Sequence, residues 1–174
     1  MTGKDTPTSQ NKQPGNGIIT DLHFRAGLIT DAQAISDLIM QFAKDFSINP
    51  DGSGADLFHQ SVSATAEQSY LADSRYHFIL AMQDETLAGF IALRDLSHLF
   101  HLFVHPAFQG QGLATALWQR ARQYAASQGH KTGFTVNSSL NAIPVYEGFG
   151  FRATAQIVVM HGISFLPMQF QLNN

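Results

Sequence analysis

Apolar and polar residues alternate from Ile18 to Ala26, with Leu22, Phe24 and Ala26 on one face, which predicts a first strand. The period then lengthens. Ile35, Leu38, Ile39, Phe42 and Phe46 recur at helical spacing, so one amphipathic helix is expected, opened by a capping box at Thr30-Asp31-Ala32-Gln33. Residues 49–54 read as the loop that ends it. Leu57 and Phe58 predict a short helical turn, and Thr65 with Gln68 predicts the cap of a second helix reaching Leu71. Arg75 to Met82, Leu87 to Arg94 and residues 98–104 are three apolar runs joined by short polar turns at Asp84-Glu85 and Asp95-Leu96-Ser97, the pattern of an antiparallel meander. A helix over 112–128 stops at Gly129. A strand at Gly133 to Val136 and a helix at Asn141 to Phe149 follow. The chain closes on a hairpin, Arg152 to Met160 and Ile163 to Leu172, turning at His161-Gly162. The expected fold class is mixed α/β. It has a mostly antiparallel sheet of about seven strands and about four flanking helices, with one parallel pair where a crossover helix separates two strands.

The stretch from Leu99 to Thr115 organises the rest. It begins as an apolar strand, and Pro106, which has no N–H to donate, ends regular pairing. Gly110 and Gly112 then mark a tight turn, beyond which Leu113, Leu117, Ala121 and Tyr124 share one helical face. A strand, a glycine turn and a helix start together make an anion site. Free N–H groups and the positive end of the helix dipole converge there, and glycine leaves the backbone open to approach. Thr115 adds a hydroxyl in the first turn. Between Leu96 and Tyr146 there is no Asp or Glu, while Arg120, Arg122 and Lys131 are present, so the turn is expected to sit in positive surroundings.

Composition narrows the classes. At 174 residues the chain has room for one domain with a real core. The reading is a disordered tail at 1–17, made of Thr, Ser, Gln, Asn, Pro, Gly and Lys, followed by one domain over 18–174. Only 13% of residues are charged, so the surface leans on uncharged polar groups. A formal charge of −3 argues against general nucleic-acid binding. The absence of cysteine excludes a thiol nucleophile, a disulfide framework and Cys-type zinc sites, and fits a cytoplasmic protein. No signal-peptide pattern and no run of 18 apolar residues occurs, so a membrane-spanning chain is not expected. His98, His101 and His105 are close in sequence, but three-residue spacing on a strand sends His98 and His101 to opposite faces, and no metal site is expected. Gly-x-Ser-x-Gly is absent, and no acidic residue follows the glycine turn where a dinucleotide fold requires one.

Gln109-Gly110-Gln111-Gly112-Leu113-Ala114 resembles the Gln/Arg-x-x-Gly-x-Gly/Ala motif of the GNAT superfamily of acyl-CoA-dependent N-acetyltransferases. Val104-His105-Pro106 is similar to that family's Val-x-Pro lead-in. Ala142 to Phe151 resembles its second signature, Ala-x-x-x-Tyr-x-x-x-Gly-Phe. The resemblance implies a fold in which the strands 98–104 and 133–136 splay apart and admit the cofactor. It assigns Leu102, Phe103, Val104 and the turn Gln109, Gly110, Gln111, Gly112, Leu113, Ala114 and Thr115 to acetyl-CoA. Gln109 stands where many relatives carry Arg. Many relatives also place Asn seven residues before the tyrosine; that position here is Ser139, with Asn137 and Asn141 to either side, and the cofactor contact is expected from among these, Ser139 and Asn141 being the candidates carried forward.

The resemblance further implies that Tyr146 protonates the departing CoA thiolate, against the plain reading of a buried aromatic. The Glu that relatives carry three residues before the Val of Val-x-Pro is replaced by His101. An imidazole, with a reference pKa of ~6.5, suits a general base. The competing accounts are a packed histidine and deprotonation through a water chain. Because no carboxylate is close in sequence, the base is expected to be histidine or water. The implied activity is acetyl transfer from acetyl-CoA to a small-molecule or peptide amine by direct attack in a ternary complex, without metal. A homodimer is compatible with the family. The rival is a non-catalytic acyl-CoA-binding module. Phe42, Phe46 and Phe58 flank the loop that the resemblance expects to wall the acceptor; they read either as core residues, the commoner case, or as a wall that favours an apolar or aromatic amine.

Overall fold

In the computed structural model, which describes residues 21–172, eight strands form one open twisted sheet flanked by six α-helices. The strands are β1 (Leu22–Ala26), β2 (Tyr76–Gln83), β3 (Thr86–Arg94), β4 (His98–Val104), β5 (Phe134–Ser138), β6 (Arg152–Ala153), β7 (Val158–Met160) and β8 (Ile163–Phe170). The helices are α1 (Ala32–Met40), α2 (Ala43–Phe46), α3 (Asp56–Ser61), α4 (Ala64–Ala72), α5 (Leu113–Ser127) and α6 (Ile143–Phe149). Strand order is β1-β2-β3-β4-β5-β8-β6, with β7 paired to β8; every pairing is antiparallel except β4 with β5. The expected tail at 1–17 and the start of the first strand lie outside the described residues.

β3 runs through the middle of the sheet and is buried from Leu87 to Leu93, as a strand covered on both faces must be. Ala88, Ile91 and Leu93 turn to one face, where α5 lays down Leu113, Leu117, Trp118, Ala121 and Ala125. Phe90 and Ala92 turn to the other, against Ile35, Leu38 and Ile39 of α1. The two cores sandwich the sheet and leave its β4–β5 gap uncovered.

Several expected boundaries move, each for a local reason. The helix from Ile35 to Phe46 is broken into α1 and α2 at Gln41 and Phe42. The Thr30–Gln33 box does not form. Asp31 instead accepts from the Leu28 N–H at 2.7 Å and holds Arg25 through bonds of 2.7 and 2.8 Å. The second helix is capped by Ser63, whose hydroxyl accepts from the Ala66 N–H, and not by Thr65. The first arm of the closing hairpin is interrupted between β6 and β7.

The largest correction is in β4. The register with β3 slips between Ala92 and Leu93, so Ala92 faces His101 and Leu93 faces Leu99, leaving Phe100 as an extra residue. Arg94 and Ala92 lie on one face of β3, and their partners His98 and His101 therefore share a face as well. Strict alternation had put them on opposite faces. A bulge inside an apolar run leaves no mark in the sequence.

Candidate active site

β4 and β5 pair only through His98 with Thr135 and Leu99 with Val136. Beyond Leu99 they part, since β4 follows β3 while β5 turns with β8. The gap opens into a cavity of about 920 Å³, within the range of ligand sites. Its walls are β4, the glycine turn, the residues after β5, α6 and, on the far side, α2, α3 and the start of β8.

At one end the glycine turn meets α5. Gly110 and Gly112 have φ of +71° and +81°, which glycine adopts without cost, and a side-chain carbon at either would touch nothing within 4 Å. Gly112 is the residue before the helix, and no side chain caps it. The first-turn N–H groups of a fifteen-residue helix therefore have no carbonyl partner, and the residues that carry them line the cavity, as an anion site requires. The lining includes Gln109, Gly110, Gly112, Leu113, Ala114 and Thr115, and also Leu102, Phe103, Val104, Ser139 and Asn141. Gln111 is not in the lining; its amide donates to the Ala107 carbonyl at 3.1 Å. The Gln109 amide likewise turns back to the Val104 carbonyl, at 3.0 Å.

The positive surroundings expected from Arg120, Arg122 and Lys131 do not form. The two arginines lie roughly 10 Å or more along the axis of α5. Arg120 sits over the Phe24 ring at 3.6 Å and Arg122 over Phe170 at 4.8 Å. None of the three lines the cavity; the cation that does is Arg94.

Tyr146 projects from α6 into the cavity wall with 6% exposure, edge-on to Phe149 and Phe151. Burial pushes its phenol well above the ordinary value, so the hydroxyl keeps its proton throughout the neutral range. Gly150, at φ +99°, ends α6 and lets Phe151 fold back beneath Tyr146.

His101 lines the cavity two residues past the last β4–β5 pair and is 8% exposed. Phe100 packs beside it with ring centres 4.1 Å apart, and Phe90 and Phe103 stand edge-on at 5.9 Å. Its Nε2 lies 3.0 Å from Oε1 of Glu67, the one residue of α4 that is fully buried. The sequence left this carboxylate out because it is 34 residues away. A signal existed. Glu67 shares its helical face with Tyr70 and Leu71, which pack into the core, so an acid there interrupts an apolar stripe.

His98 joins β4 to β5 through Nδ1 and the Thr135 hydroxyl at 2.8 Å. Burial, then the nearby Arg94 charge, lowers its pKa to about 4. The far wall is aromatic. Phe46 stacks on Phe58 at 5.0 Å, and Phe103 meets Phe42 at 5.8 Å and Phe46 at 6.1 Å, with Asp45 at the rim. No group of three or more His, Cys, Asp or Glu that could hold a metal occurs among the described residues. No described helix is long and apolar enough to cross a membrane.

The fold is an open sheet whose one parallel pair splays beside a glycine turn and an uncapped helix. Residues 46–172 match the family model described as an acetyltransferase (GNAT) domain, and the chain belongs to that family. It is 30% identical to N-acetyltransferase 8 of Homo sapiens over 118 residues, 57% of this chain and 52% of that protein. It is 32% identical to N-acetyltransferase 8B of Rattus norvegicus over 104 residues, 53% and 47% of the two chains. The chain thus spans about half the length of the curated relatives it matches. In fold it resembles a GCN5-related N-acetyltransferase from Rhodopseudomonas palustris, with a TM-score of 0.72, 21% identity, and coverage of 91% of this chain and 100% of that one. It also resembles the PaiA N-acetyltransferase of Thermoplasma acidophilum in complex with coenzyme A, with a TM-score of 0.70, 15% identity and coverage of 88% and 100%.

Proposed function

We propose that the chain moves the acetyl group of acetyl-CoA to a primary amine by direct attack in a ternary complex. The observation that supports this most is the single cavity joining an anion-binding turn to two proton-handling groups, Tyr146 and His101. The diphosphate of the cosubstrate lies against the N–H groups after Gly110 and Gly112. The open space at both glycines fits it, and the helix dipole supplies the positive potential that the arginines do not. The acceptor enters from the aromatic wall of Phe42, Phe46 and Phe58, which favours an amine with an apolar body.

The acceptor arrives as an ammonium and gives one proton to His101, which frees its lone pair. The nitrogen attacks the thioester carbonyl, the C–N bond forms, the C–S bond breaks, and a second proton leaves the nitrogen. Tyr146 gives its proton to the departing sulfur and recovers one from the surroundings. The sum is one amide, one thiol and one proton released. No covalent intermediate on the protein is needed.

Release of free CoA thiol from acetyl-CoA, measured against a panel of amines with apolar and polar bodies, tests the reading. Turnover that depends on the amine and favours apolar acceptors is expected. Tight acetyl-CoA binding with no thiol released by any amine would instead make the chain a CoA-binding module.

A further inference from the structure

Glu67 is fully buried, and burying a carboxylate costs several kcal/mol unless partners compensate. One oxygen has a partner, His101 Nε2 at 3.0 Å; the other, Oε2, is a buried side-chain atom without any hydrogen bond. A purely structural role is served better by Leu or Met in this apolar layer. His101 sits between this acid and the cavity that it lines.

We propose that Glu67 is a positioning residue for His101: its carboxylate takes the Nε2 hydrogen, holds the ring in one tautomer and orientation, and turns the free Nδ1 lone pair to the acceptor amine. The role rests on the reading of His101 as the base. The proton taken from the ammonium goes to Nδ1, the Nε2 proton stays where it is, and the imidazolium then formed lies beside a negative charge in a low-dielectric setting. No proton passes to Glu67. The other titratable or charged groups around the pair are Tyr70 on α4, Tyr76 on β2, Arg94 on β3 and His98 on β4. Arg94 opposes the charge that Glu67 favours, and His98, near neutral pH, carries none.

Wild-type protein labelled with ¹⁵N-histidine tests this without any variant having to fold. The neutral His101 ring, assigned through its backbone, is expected to carry its proton on Nε2; a proton on Nδ1 overturns the proposal. Glu67→Gln keeps the volume and an acceptor but removes the charge. In the folded variant kcat is expected to fall roughly tenfold or more, in the manner of an outer-shell partner. The acidic limb of kcat/KM is expected to move to lower pH, while KM for acetyl-CoA stays within about twofold. An unmoved limb and unchanged kcat in Glu67→Gln, with His101→Gln losing the limb, overturns the proposal and leaves the base reading standing. If His101→Gln keeps the wild-type limb, the base reading falls first and takes Glu67 with it. Should Glu67→Gln fail to fold, the wild-type tautomer decides alone.

Discussion

The role proposed for Tyr146 needs it close to the leaving sulfur and protonated at working pH, and its burial provides the second condition. Tyr146→Phe removes the hydroxyl and little volume. Turnover is expected to fall by roughly 10²–10⁴-fold, the range for a general acid, with acetyl-CoA affinity preserved. A stopped assay of amide product beside a direct titration of acetyl-CoA separates the two; equal turnover would leave Tyr146 a packing residue. His98 makes a different prediction. Its pKa is lowered to about 4, so as pH falls from ~6.5 the unfolded chain takes up a proton that the folded chain refuses. Stability should therefore drop between about pH 6.5 and 4 and then level off. His98→Asn should flatten the fall of Tm with pH across that window; an identical slope in both proteins contradicts it. Tyr146 and the glycines were legible in the sequence because their spacing is local. Glu67 was not, because its meeting with His101 is made only by packing α4 on the sheet. The cations were misplaced because a charge count ignores which way a helix turns its arginines.

At the scale of elements, the apolar runs of β2, β3 and β4 and the helical stripe of α5 read directly from the sequence, since each packs one or two faces on a core. What could not be read was irregularity: the bulge in β4, the break between α1 and α2, and the interruption before β7. The bulge and the helix break keep the apolar pattern while shifting direction. The closing hairpin was legible at its turn, where His161 and Gly162 have φ of +52° and +76°, the pair of positive values that a two-residue hairpin turn needs. That turn also docks on the loop after α2: the Ile48 N–H donates to the Gly162 carbonyl at 2.9 Å, and Ser47 bridges to Ile163. A side-chain carbon on Gly162 would collide with the Gly54 carbonyl. Ile163 and Phe165 line the cavity just beyond. Gly162→Ala is expected to lower Tm by several degrees, on the order of 1–3 kcal/mol, and to raise KM for the amine more than KM for acetyl-CoA. Calorimetry with steady-state kinetics checks both; an equal rise in the two constants contradicts the assignment of this wall to the acceptor.

Across the whole molecule, one topological event makes the site. β4 and β5 are parallel neighbours joined through α5, hold together for two residue pairs, and then follow different partners. The parallel pair was inferable because a crossover helix joins its two strands. The extent of the splay was not, since it depends on twist across the whole sheet. In the proposed function this gap holds acetyl-CoA, with its diphosphate on the turn at Gly110 and Gly112. Titration of acetyl-CoA into the wild-type protein and a folded Gly112→Val variant tests it most directly. The added side chain projects into open space and also strains a backbone at φ +81°. A dissociation constant raised at least about tenfold, or about 1.4 kcal/mol, is expected in the variant. The same constant in both proteins would place the cosubstrate elsewhere and contradict it.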